Sequence, residues 1–448
     1  MGAVDWFRSR AKKNLQGKQN VRANSIINGC CGNSSRFSCL RLHDSATLNA
    51  KGLLQHTVVT KLYPIVQLHL LPLLLNYDSE VQEARDNTKP ESGLPISTKV
   101  ERLTTETSER FAEQVKCMVA DASSSFQMTS EGCGGAYFLT ADWSCSCHKK
   151  KPLGIFKPRD EEYMAPKNPR GFVKETSVVG VSEHPVNKGF RVGNGALRER
   201  AAYLLDQAYG SFSGVPETTL MVLCLNGEEK EGSMQRFVAS QCSAEDMGTL
   251  KFAIPEVHKI GILDVRLFNT DRHAGNILLS ARLNEQTYAM TPIDHGFCLP
   301  AYKHLDSATF DWLHWPQAEF PFTGAELDHI ASLDEARDAA VLRTIGIEEE
   351  CVTTMRLCTA VLKQGAEAGF SLYEIGSLLQ RDDDFASPSQ LEVMVAKAVA
   401  AVEEILVMSE DKDGIAFFDA IVAESTRLIG CMLEGQTKKK VRSISCFS

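Results

Sequence analysis

The stretch from Ile260 to Asp294 constrains the fold more than any other part of the chain. Apolar residues recur at helical spacing as far as Leu267, and the polar run Asp271–Asn276, which contains a glycine, then breaks that period. Two short apolar runs separated by polar residues follow, which predicts two strands folded back on each other. Such a hairpin would bring the carboxylate of Asp271 in the loop beside the carboxylate of Asp294 at the end of the second strand.

These side chains have the chemistry of a phosphoryl-transfer site. Mg²⁺ prefers hard oxygen ligands and is usually held by one or two carboxylates together with substrate phosphates. Phosphoryl transfer also needs an acidic side chain that orients the attacking hydroxyl and accepts its proton. The order D-x-x-x-x-N, hairpin, Asp therefore predicts Asp271 as the base and Asn276 and Asp294 as metal ligands. Taken singly, a capping Asp, a turn Asn and a surface Asp explain these residues equally well, and only the ordered set favours the site.

The composition is that of a folded globular protein. The 448 residues are 43% hydrophobic and 23% charged, which excludes disorder throughout and allows two or three domains. The net charge of −9 argues against general nucleic-acid binding. Fourteen cysteines in a long chain without a secretory signal predict reduced thiols and an intracellular protein. The tight group Cys145-Ser146-Cys147-His148 is interpreted as a hairpin tip rather than a zinc site.

Residues 1–100 are predicted to be a basic, largely disordered region followed by a polar linker. Cys30 and Cys31 lie between glycines, and their acylation together with the basic charge would form a two-part membrane anchor. A plain disordered tail and a transit peptide are the alternatives. The longest apolar stretch, Leu62–Leu75, contains two prolines and is shorter than the ~20 residues that a spanning helix needs, so no transmembrane helix is expected.

A glycine cluster runs straight into an apolar strand, and a second strand follows across a basic turn. Glycines let backbone N–H groups approach phosphates closely because no side chain obstructs them. A lysine ending the second strand could reach those phosphates, and a glutamate early in a helix-forming run could pair with the lysine. A tight hairpin and a helix-dipole preference are the alternatives. The predicted nucleotide-binding residues here are Gly132, Cys133, Gly134, Gly135, Ala136, Tyr137, Lys157 and Glu199.

A further strand is predicted near residue 235, and it is expected to continue into a connector segment. The backbone of such a connector would offer hydrogen-bond partners to the edge of an adenine. The residues assigned to it are Gln235, Arg236, Phe237 and Val238.

Beyond Asp294, the chain carries basic and aromatic side chains where an acceptor would bind. Lys303 and His304 are followed by Trp312 and Trp315. Because aromatic rings favour the membrane interface, this segment is predicted to contact lipid headgroups. A core role for the two tryptophans is equally compatible with the pattern.

From residue 323 onward, apolar residues recur every three or four positions, which predicts a mainly helical remainder. Residues 101–385 would form a catalytic domain, with an N-lobe at about 125–240 and a C-lobe at about 241–385. Residues 386–448 would form a helical extension that ends in the basic tail Lys438–Arg442. This tail could favour anionic lipid or nuclear import, although a solvated tail is the default.

These segments resemble, in order and spacing, the plant-type phosphatidylinositol 4-kinase gamma branch of the phosphatidylinositol 3-/4-kinase superfamily, which is similar to type II phosphatidylinositol 4-kinases. The resemblance covers about Glu131 to Arg381. It departs in three places. Ubiquitin-like repeats, present in some members, are not recognisable before residue 100, Cys133 replaces the small Ser or Thr usual in the loop, and Gln235-Arg236 alters a commonly acidic hinge position. The segments that carry it are EGCGGAYFL (131–139), GIFKPRDEEYMAPKNPRG (154–171), VGNGALRERAAYLLD (192–206), FNTDRHAGNILL (268–279), PIDHGFCLP (292–300) and FDWLHWPQA (310–318).

The resemblance implies an α+β, bilobal protein-kinase-like fold, with a small β-rich N-lobe and a large, mainly helical C-lobe. It implies ATP and Mg²⁺ as cofactors, and transfer of the γ-phosphate to the inositol 4-hydroxyl of phosphatidylinositol in an anionic membrane surface. It assigns Asp271 as the base, Asn276 and Asp294 to the metal, and Lys157 with its partner Glu199 to the phosphates.

Two alternatives stay open for the activity. Some members of the branch behave as protein kinases, so a Ser/Thr protein kinase with protein substrates is the second hypothesis. A nucleotide-binding scaffold without lipid turnover is the third. The expected location is the cytoplasm and the membrane periphery, with the nucleus as a further possibility, and no nucleic-acid partner is expected.

Overall fold

The computed structural model describes residues 109–121, 123–141, 151–282, 287–382, 386–405 and 414–445. These residues belong to one compact unit. The predictions for residues 1–100, with the anchor at Cys30–Cys31 and the apolar stretch Leu62–Leu75, lie outside them, as do the tip Cys145–His148 and the side chains of the basic tail. Within the described part, no helix is long and apolar enough to cross a membrane.

The elements of the N-terminal lobe are α1 (residues 109–120), β1 (Ser124–Met128), β2 (Tyr137–Ala141), β3 (Gly154–Pro158), α2 (Gly195–Gln207), β4 (Thr218–Leu225) and β5 (Glu228–Arg236). The strands form one antiparallel sheet with the order β1-β2-β3-β5-β4. Successive side chains of a strand point to opposite faces. In β3, Phe156 is therefore buried in a cluster with Phe111 of α1, while Lys157 faces the other side of the sheet.

The C-terminal lobe begins with a small sheet and a buried helix, β6 (Cys242–Ser243), α3 (Ile254–Leu267), β7 (Ile277–Ala281) and β8 (Tyr288–Pro292). β7 pairs antiparallel with β8, with Ile277 opposite Pro292, and β6 pairs with the other edge of β7. This pairing confirms the hairpin predicted from the sequence. Helix α3 ends because Phe268 adopts a left-handed backbone conformation, with a φ of 45°, and turns the chain into the loop before β7.

The remaining elements are helices: α4 (Gly324–Ser332), α5 (Glu335–Thr344), α6 (Glu349–Glu367), α7 (Leu372–Leu379), α8 (Gln390–Ile405) and α9 (Ile415–Ser445). Helix α6 packs against α3, α4, α5, α7 and α9. Val265 of α3, Leu362 of α6 and Ile421 of α9 belong to one buried apolar core, so the C-terminal helices share the core of this lobe. The described residues confirm an α+β fold with a small β-rich lobe and a large, mainly helical lobe.

Candidate active site

Lys157 joins the two lobes through two ion pairs. Its ammonium Nζ lies 2.5 Å from Glu199 Oε1 in α2 and 2.9 Å from Asp294 Oδ1, just beyond β8. Although desolvation opposes it, these two carboxylates raise the pKa of Lys157 and keep the side chain charged. The ion pair with Glu199 predicted from the sequence is therefore present, and the same lysine also reaches the other lobe.

Glu199 is fixed from several sides. Its side chain is 2% exposed, and Gln235 Nε2 donates to Glu199 Oε2 at 3.4 Å. His295 Nδ1 lies 3.7 Å from the same oxygen. Burial alone would raise the pKa of Glu199, but the neighbouring Lys157 and His295 lower it. Glu199 therefore stays a carboxylate anion and pairs with the Lys157 ammonium.

The predicted connector begins later than the sequence indicated. Strand β5 continues through Arg236, whose guanidinium Nη2 binds Glu217 at 2.7 Å, so Gln235 and Arg236 are strand residues. Gln235 is buried and its side chain faces α2 rather than a connector. Phe237 and Val238 follow the strand, and the Phe237 N–H donates to the Leu153 carbonyl at 3.0 Å. The assignment of the first two residues to the connector was wrong because β5 pairs with β3 as far as Arg236 and with β4 as far as Gln235.

The loop between α3 and β7 positions its acidic and amide groups by local hydrogen bonds. The Asn269 side chain accepts the Asp271 N–H at 2.9 Å, and Asn276 Nδ2 donates to the Asp271 carbonyl at 3.1 Å. The Ile293 N–H donates to the Asn276 carbonyl at 3.0 Å. Asn276 is thus held beside the residue that precedes Asp294, so the loop and the hairpin end meet as predicted.

Asp271 and Asp294 influence each other electrostatically. Desolvation first, and then the charge of Asp294, raise the pKa of Asp271 to about 8. Asp294 has a left-handed backbone with a φ of 58°, and its side chain is 49% exposed. Non-glycine residues in this conformation are uncommon and concentrate at functional sites. Asp271 is partly buried and Asp294 is exposed, and a hard cation would stabilise these two neighbouring carboxylates.

Arg272 is a residue that the sequence reasoning missed. Its fully buried guanidinium binds Asp264 in α3, with both carboxylate oxygens 3.0 Å from Nε, and it also binds the carbonyls of Asn276 and Ile293 at 2.6 and 2.9 Å. Nη2 lies 3.0 Å from His295 Nε2. One side chain therefore fastens the helix, the loop and the end of β8. The sequence shows an Arg directly after Asp271, but no local pattern indicates which distant residues it contacts.

The glycine cluster forms the turn between β1 and β2. Gly132 has a φ of 92°, which favours glycine. A Cβ on Gly135 would lie 2.2 Å from Glu161 Oε2, so the close approach of these two segments also requires glycine. Tyr137 donates its hydroxyl to Glu161 at 2.6 Å, and the Ala136 carbonyl accepts the Thr129 N–H at 2.8 Å. The turn is closed and packed against the segment after β3.

Cys133 shows where the tip of this turn lies. The thiol is exposed to solvent. Desolvation, and then the charges of Asp271 and Asp294, raise its pKa. The thiol is close enough to both carboxylates of the other lobe to feel their charge.

The two tryptophans of the segment beyond Asp294 face the core rather than a lipid surface, whereas Phe320 of the same segment is 48% exposed. Trp312 is 0% exposed and donates its indole N–H to Asp264 at 3.0 Å. Trp315 is also buried, and its ring centroid lies 4.9 Å from that of Phe252. Lys303 is exposed but pairs with Glu350 at 2.9 Å. The prediction was wrong for the tryptophans because an indole N–H with a buried carboxylate partner is satisfied inside the core.

His304, the other basic residue of this segment, packs close to the N-terminal lobe. A Cβ on Gly189 would lie 2.8 Å from its Cβ. Its neighbourhood is therefore a contact between the two lobes.

The predicted metal ligands fit a cation that is completed by phosphates. Among the described residues, no group of three or more His, Cys, Asp or Glu side chains could hold a metal ion. Asn276 and Asp294 supply one amide and one carboxylate from adjoining backbone segments. Mg²⁺ commonly takes one or two protein carboxylates and completes its shell with water and substrate phosphates. The donor set suits a cation that arrives with a nucleotide better than a permanent structural metal.

Comparisons with known proteins agree with this geometry. The family described as "Phosphatidylinositol 3- and 4-kinase" matches residues 133–375. The chain is 43% identical over 288 residues to phosphatidylinositol 4-kinase gamma 4 of Oryza sativa subsp. japonica, covering 61% of the chain and 48% of the relative. It is 34% identical over 404 residues to phosphatidylinositol 4-kinase gamma 4 of Arabidopsis thaliana, covering 84% and 66%.

A third relative is similar over a comparable region. The chain is 40% identical over 299 residues to phosphatidylinositol 4-kinase gamma 3 of Arabidopsis thaliana, covering 61% of the chain and 50% of the relative. The chain thus spans about half to two thirds of the length of these relatives. The family match covers more than half of the 448 residues and includes the lysine, the loop and the hairpin described above. This protein belongs to the phosphatidylinositol 3- and 4-kinase family.

Proposed function

We propose that the protein is an ATP-dependent phosphatidylinositol 4-kinase. The observation that carries the proposal is the pair of contacts from Lys157 to Glu199 in one lobe and to Asp294 in the other. These contacts hold together the groups that phosphoryl transfer requires, beside the loop that carries Asp271 and Asn276. The names of the relatives, phosphatidylinositol 4-kinases gamma, support the acceptor.

The chain's own groups have distinct roles in this proposal. Lys157, held by Glu199, binds phosphate oxygens, and Asp271 orients the acceptor hydroxyl and accepts its proton. Asn276 and Asp294 would hold Mg²⁺, which neutralises phosphate charge when it is bound. Transfer forms a bond from the acceptor oxygen to the γ-phosphorus and breaks the bond to the β-phosphate oxygen, so that ADP leaves.

The acceptor and the location follow from the same proposal. Phosphatidylinositol presents its headgroup at a membrane surface, so the enzyme would work there as a peripheral protein inside the cell. Transfer to protein Ser or Thr has no separate observation in its favour, and it enters as an outcome of the test.

The proposal is tested with purified protein, ATP, Mg²⁺ and vesicles that contain phosphatidylinositol. Phosphatidylinositol 4-phosphate should form, and Asp271→Asn and Lys157→Ala should each reduce kcat by ~10²–10³-fold because each removes a group that acts in the transition state. Asp328→Asn, an exposed change on α4, is the matched control and should keep wild-type activity. Lipid product no greater than that of Asp271→Asn, or transfer only to an added protein, would overturn the lipid assignment.

A further inference from the structure

Arg170 holds the glycine turn, and the proposed chemistry does not explain its contacts. Its guanidinium Nε donates to the Gly134 carbonyl at 2.9 Å, and Nη1 donates to the Ser130 carbonyl at 3.2 Å. Nη2 donates to the carbonyls of Thr129 and Glu131 at 2.6 and 2.9 Å, and to the Thr129 hydroxyl at 3.1 Å. The planar fork of an arginine can bind several oxygens in a fixed arrangement. One side chain thus binds four carbonyls of a single turn.

Asn168, two residues earlier, also forms hydrogen bonds to the turn. Its side chain is 5% exposed, and Nδ2 donates to the Cys133 carbonyl at 2.8 Å. The same nitrogen lies 3.2 and 3.0 Å from the carbonyls of Glu161 and Glu162. Its Oδ1 accepts the Arg170 N–H at 2.9 Å. Asn168 therefore binds the remaining part of the turn and also orients the backbone that carries Arg170.

The segment that carries both residues is itself anchored to helix α2. The Glu162 carboxylate accepts the N–H groups of Gly195 and Ala196, in the first turn of α2, at 3.0 and 2.9 Å. Arg159 Nε donates to the Gly193 carbonyl at 2.6 Å, just before the helix. The segment begins directly after β3, which carries Lys157, and α2 carries Glu199. The position of the glycine turn is therefore fixed relative to both Lys157 and Glu199.

The hydrogen bonds from Arg170 and Asn168 determine the direction in which the turn presents its N–H groups. In a trans peptide unit, the carbonyl and the following N–H point in opposite directions. Carbonyls drawn towards Arg170 and Asn168 thus leave the N–H groups of Gly132 and Gly134 pointing away from these two side chains. The Gly135 N–H, which follows the Gly134 carbonyl, instead donates to the Glu161 carbonyl at 2.9 Å. Backbone N–H groups arranged in this way are the usual donors to phosphate oxygens.

We infer that Arg170 and Asn168 are positioning residues that keep the glycine turn in its phosphate-binding conformation. The inference deepens the proposed function and rests on its assignment of ATP. It assigns no contact with the nucleotide to either side chain. Their effect is to pre-organise the turn, so that binding does not have to order it.

Binding of ATP and of adenosine to purified protein, measured by calorimetry, tests the inference. Arg170→Ala should weaken ATP binding about tenfold, because several charge-assisted hydrogen bonds to the turn are lost. Adenosine, which has no phosphates, should bind as it does to the wild type. Lys174→Ala removes an exposed cation from the same part of the chain and should change neither affinity.

A second variant guards against a folding defect. Arg170→Lys keeps a cation but not the planar fork, and its ATP affinity should lie between those of the wild type and Arg170→Ala. Equal losses for ATP and adenosine, or unchanged ATP binding in both variants, would overturn the inference, as would a wild type that does not bind ATP. Selective loss of ATP binding in a protein without lipid turnover would uphold the inference and reject only the lipid acceptor.

Discussion

His184 is a buried imidazole that favours its neutral form. It stacks on Tyr163 with ring centroids 5.4 Å apart, and it contacts the edge of Phe297, three residues beyond Asp294, at 5.7 Å. Its Nδ1 accepts the Asn187 N–H at 2.9 Å. Desolvation, opposed by a backbone hydrogen bond and assisted by nearby cationic side chains, lowers its pKa to about 4.

The free energy of unfolding should therefore fall in mild acid. The unfolded state binds a proton at His184 below pH 6.5 and the folded state only below about 4, so stability is lost as pH falls through this window. At pH 5 the loss would be about 2 kcal/mol. His184→Asn keeps an acceptor without titrating, and urea unfolding at pH 7 and 5 should show that loss removed. An equal loss in this variant and in a variant of exposed His314 would contradict the prediction.

The residues of the site differ in how well the sequence revealed them. Lys157, Asp271, Asn276 and Asp294 could be found because their chemistry is uncommon in that order and spacing. Arg170 could not be found from the sequence, because its partners lie 36 to 41 positions away in the chain and a single arginine in a polar segment has no distinctive pattern. Residues that act on backbone carbonyls depend on the folded path of the chain rather than on a pattern.

The elements show the same division. The helices were predictable because their apolar periods are long and regular, and the hairpin β7–β8 because two short apolar runs are separated by polar residues. The two-residue strand β6 was not, since only pairing with β7 defines it. The pattern also left Trp312 open between surface and core. Its position was decided by Asp264 on α3, which the sequence places 48 residues away.

Asp264 should be critical for the way α3 is joined to the loop and to the aromatic segment. It is fully buried and accepts hydrogen bonds from Arg272, Asn269 and Trp312, each at 3.0 Å. Asp264→Asn would leave the buried Arg272 guanidinium without its counter-charge, and breaking such a pair costs about 3–5 kcal/mol.

Denaturant unfolding of purified protein measures this cost. Asp264→Asn should lower the transition midpoint strongly, and lipid kinase activity should fall because Arg272 also fixes the end of β8. Asp328→Asn on the surface of α4 removes an equal charge and should unfold like the wild type. A midpoint of Asp264→Asn that matches this control would show that the pair is not needed for the fold.

In the molecule as a whole, the two lobes are joined by contacts near α2 as well as through the connector. Glu348, which precedes α6, accepts a hydrogen bond from Asn194 at 2.6 Å and lies 3.5 Å from Arg191 Nε. The Ala301 N–H donates to the Gly189 carbonyl at 2.9 Å. The chain before α2 is therefore tied both to α6 and to the segment after Asp294, so the position of α2 depends on the other lobe.

Removal of this joint should loosen α2 locally without unfolding the large lobe. In Glu348→Ala, the Asn194 amide loses its carboxylate partner, and Arg191 and the buried Arg198 of α2 lose an anion 3.5 and 3.9 Å away. The loss of the hydrogen bond alone is a change of about 1–2 kcal/mol, so the amides of Gly195–Gln207 should exchange hydrogen at least about tenfold faster. Glu367→Ala, at the exposed far end of the same helix α6, is the matched control. Hydrogen exchange followed by mass spectrometry measures the exchange rates in both variants.

ATP binding should weaken in Glu348→Ala together with the faster exchange, because α2 carries Glu199 and so positions Lys157. Protection of α3, at the centre of the large lobe, should stay at the wild-type level, since its contacts do not involve Glu348. Faster exchange throughout the chain would mean general destabilisation rather than a joint between lobes. Unchanged exchange in α2 would mean that the connector alone holds the lobes in place.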